Sequence, residues 1–165
     1  MIQVDSLSPG SSGGKGHFWP EGRSVVSDLW AARFGTPGDA FDNYSFYHRA
    51  KSIWAFSNSV LPNFRYEAVG MRMMSMKEEP WKPTTCALQV FGRHATRNLI
   101  HLTEGQAESF MAGKSQGIGL YAETEITPGY VVCFYDGEVL GCGLYSHGSL
   151  LSQIPKDRRI QETVP

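Results

Sequence analysis

Apolar residues recur at helical spacing in two segments of this chain and alternate with polar residues in several others. The helical spacing predicts a first helix over residues 24–34 and a second over residues 102–114. In the second helix, Thr103 and Gln106 fit a capping box, and Gly113 is a natural C-terminal stop. The mixture of helical and strand patterns predicts the α+β fold class.

Alternating and continuous apolar runs predict the strands. In the first half of the chain, these runs cover residues 41–47, 51–57, 67–76 and 86–92. In the second half, we expect a strand at 99–102 and a sheet over 129–154, with turns at Asp136-Gly137 and His147-Gly148. These patterns divide the chain into a flexible Gly/Ser-rich tail (1–22), a small α/β N-terminal domain (23–92), a β domain with one capping helix (93–160) and a C-terminal tail (161–165).

The three cysteines show no CxxC spacing, which argues against a structural zinc site. A two-residue turn between the predicted strands would place Cys133 opposite Leu140. The same register would place Cys142 opposite Val131, so a disulfide between these cysteines is not expected. Cys86 begins an apolar run that we interpret as a core strand, not as the position of a nucleophile.

Composition and motifs argue against an enzyme. Hydrophobic residues make up 41% of the chain, which is enough for a packed core. No apolar run approaches the roughly 20 residues of a membrane span, and the first residues lack a signal-peptide pattern, so we expect a cytoplasmic protein without membrane contact. The chain contains neither GxGxxG nor GxxxxGK[ST], and its histidines lack metal-ligand spacing. We therefore predict no cofactor, no metal and no catalytic residue.

Basic and aromatic residues on predicted loops are the remaining candidates for function. The net charge of −1 means that any surface for a polyanion must be local. Lys and Arg contact phosphates, whereas unpaired bases stack on aromatic rings. The candidates for phosphate contact are Arg93, Arg97, Lys114, Lys156, Arg158 and Arg159, with His94 and Tyr145 for stacking or hydrogen bonding.

The second half contains three runs in a characteristic order: LTEGQAESFMAGK, TPGYVVCFYDGEVLGCGLY and GSLLSQIPKDRR. Together they resemble the C-terminal PUA-like domain of the Sun-type RNA cytosine-C5 methyltransferases. The matching positions are Leu102, Thr103, Ala107, Phe110, Gly113, Tyr135, Asp136, Gly137, Leu140, Gly141, Gly143, Leu150, Pro155, Lys156 and Arg159. The likeness covers roughly residues 23–160, and we identify neither an S-adenosylmethionine-binding region nor a nucleophile loop in it.

The resemblance implies a PUA-like β pseudo-barrel that binds RNA without catalysis. Backbone N–H groups near Gly113 and Gly117, together with the C-terminal cations, would hold phosphates. It further implies a ribosome-associated or ribosome-biogenesis component, with ribosomal RNA and possible ribosomal proteins as partners. Two alternatives stay open. One is an accessory RNA-binding subunit or detached tail of an RNA cytosine-C5 methyltransferase. The other is a protein-interaction module that uses the methionine-rich strand and the aromatic residues Trp19, Trp54 and Trp81.

Overall fold

A computed structural model of the chain describes residues 17–57, 66–119 and 126–161. These residues form two five-stranded sheets and three α-helices. The first sheet has the order β1-β2-β3-β4-β5, with β1 Trp19–Glu21, β2 Tyr44–Arg49, β3 Ser52–Ser57, β4 Met71–Ser75 and β5 Lys82–Pro83. The second has the order β6-β8-β9-β10-β7, with β6 Leu99–His101, β7 Ser115–Gly117, β8 Gly129–Tyr135, β9 Glu138–Ser146 and β10 Ser149–Ser152. The helices are α1 Arg23–Phe34, α2 Thr85–Phe91 and α3 Glu104–Met111.

The first sheet is an antiparallel meander that confirms three of the predicted strands, with bounds that differ by a few residues. The runs at 41–47, 51–57 and 67–76 become β2, β3 and β4. Residues 19–21 were expected in the flexible tail but form β1, because Trp19 pairs with His48 and extends the sheet. Residues 1–16 of the predicted tail lie outside the described residues.

Helix α1 agrees with its predicted span to within one residue. Gly35 ends it in the left-handed conformation, with φ 64°, and its N–H donates to the carbonyl of Ala31. Val26, Trp30 and Phe34 recur every four residues and are fully buried. The helix therefore packs through one apolar face, as its periodicity predicts.

The predicted strand at residues 86–92 is wrong, because this segment forms helix α2. Thr84 precedes the helix, and its Oγ1 accepts a hydrogen bond from the N–H of Ala87 at 3.1 Å. Leu88 and Phe91 then lie on one helical face and are buried. A short apolar run fits a strand or a buried helix equally well, and here the Thr84 cap and the packing decide for the helix.

The second sheet carries α3 on one face, as predicted for the capping helix. The capping box of Thr103 and Gln106 is present, and the N–H of Thr103 donates to Gln106 Oε1 at 2.9 Å. Strand β6 is parallel to β8, whereas the other pairs are antiparallel. Within the described residues, β6 and β7 are the two edges of the sheet.

The β8–β9 hairpin turns at Asp136 and Gly137 as predicted, with Tyr135 opposite Glu138. Beyond the turn, a bulge between Cys133 and Phe134 shifts the pairing by one residue. The predicted partners of the two strand cysteines are therefore wrong: Cys133 lies opposite Gly141, and Cys142 lies opposite Val132. All three cysteines are free, which confirms the expectation of no disulfide between the strand cysteines.

Two buried clusters form the interior, and β8 contributes to both. The first contains α1, α2 and the inner face of the first sheet, together with Val132 and Cys142 of the second sheet. The second packs Phe110 of α3 against Val131 and Cys133. Neighbouring residues of a strand point to opposite faces, so the continuous apolar sequence of β8 reflects burial on both sides.

Arg33 at the end of α1 ties the first part of the fold to the second sheet. Its Nε donates to the carbonyl of Tyr130 at 2.8 Å, and its Nη1 donates to Thr127 Oγ1 at 2.7 Å. In return, Asn98 Nδ2 donates to the Arg33 carbonyl at 2.6 Å. The two sheets thus share a core and a network of polar contacts.

Candidate nucleic-acid interface

The segment after β10 carries the densest group of predicted cations. Residues Lys156–Arg158 form a single 3-10 turn after Pro155. The turn is held in place by the next two residues: Arg159 Nε donates to the carbonyl of Ile154 at 3.1 Å, and the N–H of Ile160 donates to the carbonyl of Met111 at 3.2 Å. The segment is therefore fastened to the C-terminal end of α3.

Gly113 lies directly beneath Arg159. Its φ of 81° belongs to the left-handed region, and a Cβ built there would lie 2.3 Å from Arg159 Nε. Glycine is thus needed both for the backbone and for the approach of the guanidinium. The N–H of Gly113 donates to the carbonyl of Phe110 at 3.0 Å. We expected this N–H to bind a phosphate, but in the structure it forms a hydrogen bond within the protein.

Lys114, Lys156, Arg158 and Arg159 form what we call the C-terminal basic surface. The N–H of Ser152 donates to the carbonyl of Lys114 at 3.4 Å, which joins this lysine to the strand that leads into the turn. Lys114, Lys156 and Arg158 are exposed, and Arg159 is half-buried. Asp157 contributes one carboxylate within the turn. The four cations therefore leave a positive balance on this surface.

Arg158 also contacts the start of α2. Its Nη1 donates to the Cys86 sulfur at 3.1 Å, and this hydrogen bond raises the pKa of Arg158, which is positively charged at neutral pH. The contact connects the last segment of the chain to a helix 72 residues earlier. It also shows that Cys86 lies on the helix surface, half-buried, and not inside a core strand.

The structure places Arg93, His94 and Arg97 away from the C-terminal basic surface. They follow the C-terminal end of α2, whereas Arg158 contacts its N-terminal end, and a helix of this length spans roughly 10 Å. Arg93 lines an open groove together with Glu138. The side chain of Arg97 lies beside Gly35. Arg93 thus lies near a carboxylate, and Arg97 lies near the end of α1.

Tyr145 and Gly117 are two other residues that we predicted to contact RNA. Tyr145 is 8% exposed and packs in the cluster beneath α3, so its ring is not available for stacking on a base. Gly117 is exposed and pairs with Ser149 in the β7–β10 ladder. It ends the three-residue edge strand that directly follows Lys114.

Lys82 is a residue that sequence reasoning missed. Its Nζ donates to Gln153 Oε1 at 2.6 Å and lies 5.7 Å from the centre of the Tyr130 ring. Since Gln153 directly precedes the C-terminal segment, Lys82 adds a half-buried cation next to it. The signal in the sequence is weak, because a single lysine before a proline is an ordinary surface pattern.

Two further kinds of feature, a metal site and a membrane-spanning helix, have no candidate in the described part of the chain. No group of three or more His, Cys, Asp or Glu residues is arranged there to hold a metal ion. Among the same residues, no helix has the length and apolar character to cross a membrane.

Comparison with known proteins gives two family matches and one curated relative. Residues 97–160 match the family model "Methyltransferase RsmF PUA domain", and residues 20–70 match DUF7122, a family of unknown function. The relative is "Ribosomal RNA small subunit methyltransferase F" of Aeromonas salmonicida (strain A449), 24% identical over 131 residues, or 76% of this chain. The chain spans 25% of the length of that relative. These findings confirm the resemblance of the second half of this chain to the PUA-like domain of the Sun-type methyltransferases.

Proposed function

We propose that this protein binds RNA through the C-terminal basic surface and performs no covalent step. The observation that carries the proposal is the arrangement around Gly113. Arg159 is fixed there against the end of α3. The exposed Lys114 directly follows Gly113, and the exposed Lys156 and Arg158 lie on the turn before Arg159. Phosphate contacts from Lys and Arg position an RNA without reading its sequence. A fixed group of cations beside a folded helix suits recognition by shape.

Ribosomal RNA is the RNA that we propose as the partner. The support is the name of the curated relative, a ribosomal RNA small subunit methyltransferase, and the family model that matches residues 97–160. That family model describes a PUA domain and not a catalytic domain. We therefore propose a ribosome-associated or ribosome-biogenesis role in the cytoplasm, with ribosomal proteins as further neighbours.

An accessory role beside an RNA cytosine-C5 methyltransferase is the second candidate. It is supported because the matched family is the PUA domain of a methyltransferase and the curated relative is a methyltransferase. The two roles differ in one measurable respect. An accessory subunit raises methyl transfer to RNA when it is added to the separate catalytic enzyme, whereas a ribosome component binds the same RNA with no effect on that rate.

The RNA-binding proposal predicts a specific loss in the K156A/R158A double variant. Both side chains are exposed, and the contact that their removal costs is the surface hydrogen bond from Arg158 to the Cys86 sulfur. The fold should therefore stay intact, whereas binding of a small-subunit ribosomal RNA hairpin should weaken. Each lost phosphate contact lowers the slope of log affinity against log salt by about 1, so the slope should fall by up to about 2. Fluorescence anisotropy over a salt series measures both quantities.

The matched control is K51A/K77A, which removes the same charge from exposed positions just before β3 and just after β4. It should retain the affinity and the salt slope of the wild type, apart from a small effect of net charge. Equal losses in the two double variants would mean that the effect is one of total charge. Absence of hairpin binding by the wild type at low salt, where phosphate contacts are strongest, would overturn the proposal.

A further inference from the structure

The first sheet has one face without a helix over it in the part of the chain that the structure describes. Phe46, Ile53 and Ala55 point to the other face, where each is 3% exposed and belongs to the first core cluster. Successive residues of a strand alternate between faces. Tyr47 and Trp54 therefore point away from the core, and they lie directly opposite each other in the β2–β3 ladder.

This outward face, which we call the outer sheet face, carries a row of side chains across four strands. The row consists of Pro20, Tyr47, Trp54 and Arg72, since each is the register partner of the next. Phe56 occupies the next outward position of β3, opposite Ser45. Tyr47, Trp54 and Phe56 are half-buried, and none of them is among the side chains packed against the core clusters.

The outer sheet face already holds a ring and a guanidinium. The ring of Phe18 meets Trp54 edge-on, with 5.6 Å between their centres. The guanidinium carbon of Arg49 lies 5.0 Å from the centre of the Phe18 ring. Aromatic contacts and cation–ring contacts are two of the interactions that nucleobases form with proteins.

The remaining outward positions favour a nucleic acid over an apolar protein partner. The outward residues of β2 and β3 are Ser45, Tyr47, Arg49, Ser52, Trp54 and Phe56. They include three aromatic residues and a cation but no carboxylate and no aliphatic side chain, and Arg72 adds a second cation. Two arginines without a carboxylate among these positions are complementary to phosphates, and the aromatic rings between them present flat faces to unpaired bases.

We propose that the outer sheet face binds single-stranded RNA, with bases stacked on Tyr47, Trp54 and Phe56 and phosphates beside Arg49 and Arg72. The inference rests on the proposed RNA-binding function and adds a second surface to it. The C-terminal basic surface contacts the backbone of a folded RNA, and the outer sheet face takes the unpaired nucleotides of the same RNA. Base stacking tolerates different sequences, because every base presents a flat face.

The test compares two RNA probes and three variants. The single-stranded probe is a labelled oligouridylate of about 12 nucleotides, and the folded probe is the ribosomal hairpin. In the Y47L/F56L variant, leucine preserves apolar contact but removes the stacking rings, so affinity for the oligouridylate should fall roughly tenfold or more. W19L is the matched control, because Trp19 is 54% exposed and pairs with His48 on the opposite face.

The expected pattern separates the two surfaces. W19L and K156A/R158A should bind the oligouridylate within about threefold of the wild type, whereas K156A/R158A alone should lose hairpin affinity. Equal oligouridylate affinity of Y47L/F56L and the wild type would overturn this inference. A wild type that binds the hairpin but not the oligouridylate would also overturn it and would leave the proposed function standing.

A second measurement does not depend on the folding of any variant. The wild-type protein is photocrosslinked to a thiouridine-containing oligonucleotide, and the crosslinked peptides are mapped by mass spectrometry. Crosslinks within β2 and β3, at residues 44–57, are the expected result. Crosslinks confined to residues 97–160 would place unpaired RNA on the second sheet and overturn the inference.

Discussion

Single residues at the end of the chain divide into those that hold the backbone and those that present charge. Arg159 donates to the Ile154 carbonyl and covers Gly113, so it positions the segment. Lys156 and Arg158 are exposed on the turn between these contacts. Adjacent basic residues that look equivalent in the sequence therefore have different roles, and the RNA-binding experiment uses the exposed pair for this reason.

The cysteines make a residue-scale prediction about thiol reactivity. Burial raises the pKa of Cys142 to about 12 and raises the pKa of Cys133 well above its ordinary value, whereas Cys86 is half-buried. The thiolate is the reactive form. At about pH 8, we expect one thiol of the native protein to react with Ellman's reagent, and all three after denaturation.

The same pKa shifts set the sign of the alkaline effect on stability. Above about pH 9, the two strand cysteines ionise in the unfolded chain but keep their protons in the native protein, so the free energy of unfolding falls as pH rises.

The control for reactivity is C86S, which should abolish the fast reaction of the native protein. Reaction of two or three thiols without denaturant would contradict the burial of Cys133 and Cys142.

At the scale of elements, α3 is stabilised at its start, its centre and its end. Thr103 and Gln106 cap the first turn. Phe110 is fully buried, and its carbonyl accepts a hydrogen bond from Ser152 Oγ at 2.6 Å. Gly113 ends the helix beneath Arg159. The element that positions the C-terminal basic surface is therefore fastened to the sheet through its central aromatic residue.

Replacement of Phe110 by alanine should lower the free energy of unfolding by about 3–5 kcal/mol. The change leaves a cavity between α3 and the sheet, where Val131 and Leu150 are fully buried as well. Urea denaturation followed by circular dichroism measures the loss. The control is E108A, an exposed position of the same helix that should change stability by less than about 0.5 kcal/mol. A cost below about 1 kcal/mol for F110A would contradict the packing of α3.

At the scale of the whole molecule, the two sheets behave as one unit because they share buried surface. Val132 and Cys142 of the second sheet belong to the same cluster as α1 and the first sheet. Arg33 adds polar contacts to the carbonyls of Tyr130 and Thr127. The domain boundary drawn from the sequence near residue 92 therefore crosses a continuous core.

Replacement of Arg33 by methionine should destabilise the protein by about 1–3 kcal/mol. Methionine keeps much of the apolar length of the side chain but leaves the carbonyl of Tyr130 without this donor. Thermal unfolding should remain one transition at a lower temperature, because the shared core is retained. R23M is the control, since Arg23 is exposed and makes one hydrogen bond, to the Tyr44 carbonyl. Equal losses in both variants would contradict a special role for Arg33.

The sequence by itself determined the features that depend on neighbouring residues. Helices α1 and α3, their glycine stops and the turn at Asp136 follow from patterns within a few positions, because caps, turns and amphipathic spacing are local interactions. The three C-terminal runs also sufficed to identify the PUA-like resemblance. Lys156 and Arg158 could be proposed as RNA contacts from the sequence as well, because they lie close together in the last of these runs.

The tertiary structure alone decided which faces are covered and which distant residues meet. In the folded molecule, residues 85–91 form the helix α2, and Tyr145 is buried. Arg93 and Arg97 lie apart from the C-terminal cations, whereas Cys86 contacts Arg158. The tertiary structure also aligned Tyr47, Trp54 and Arg72 across three strands. Each of these outcomes depends on the pairing of segments that are far apart in the chain, and a local sequence pattern does not specify that pairing.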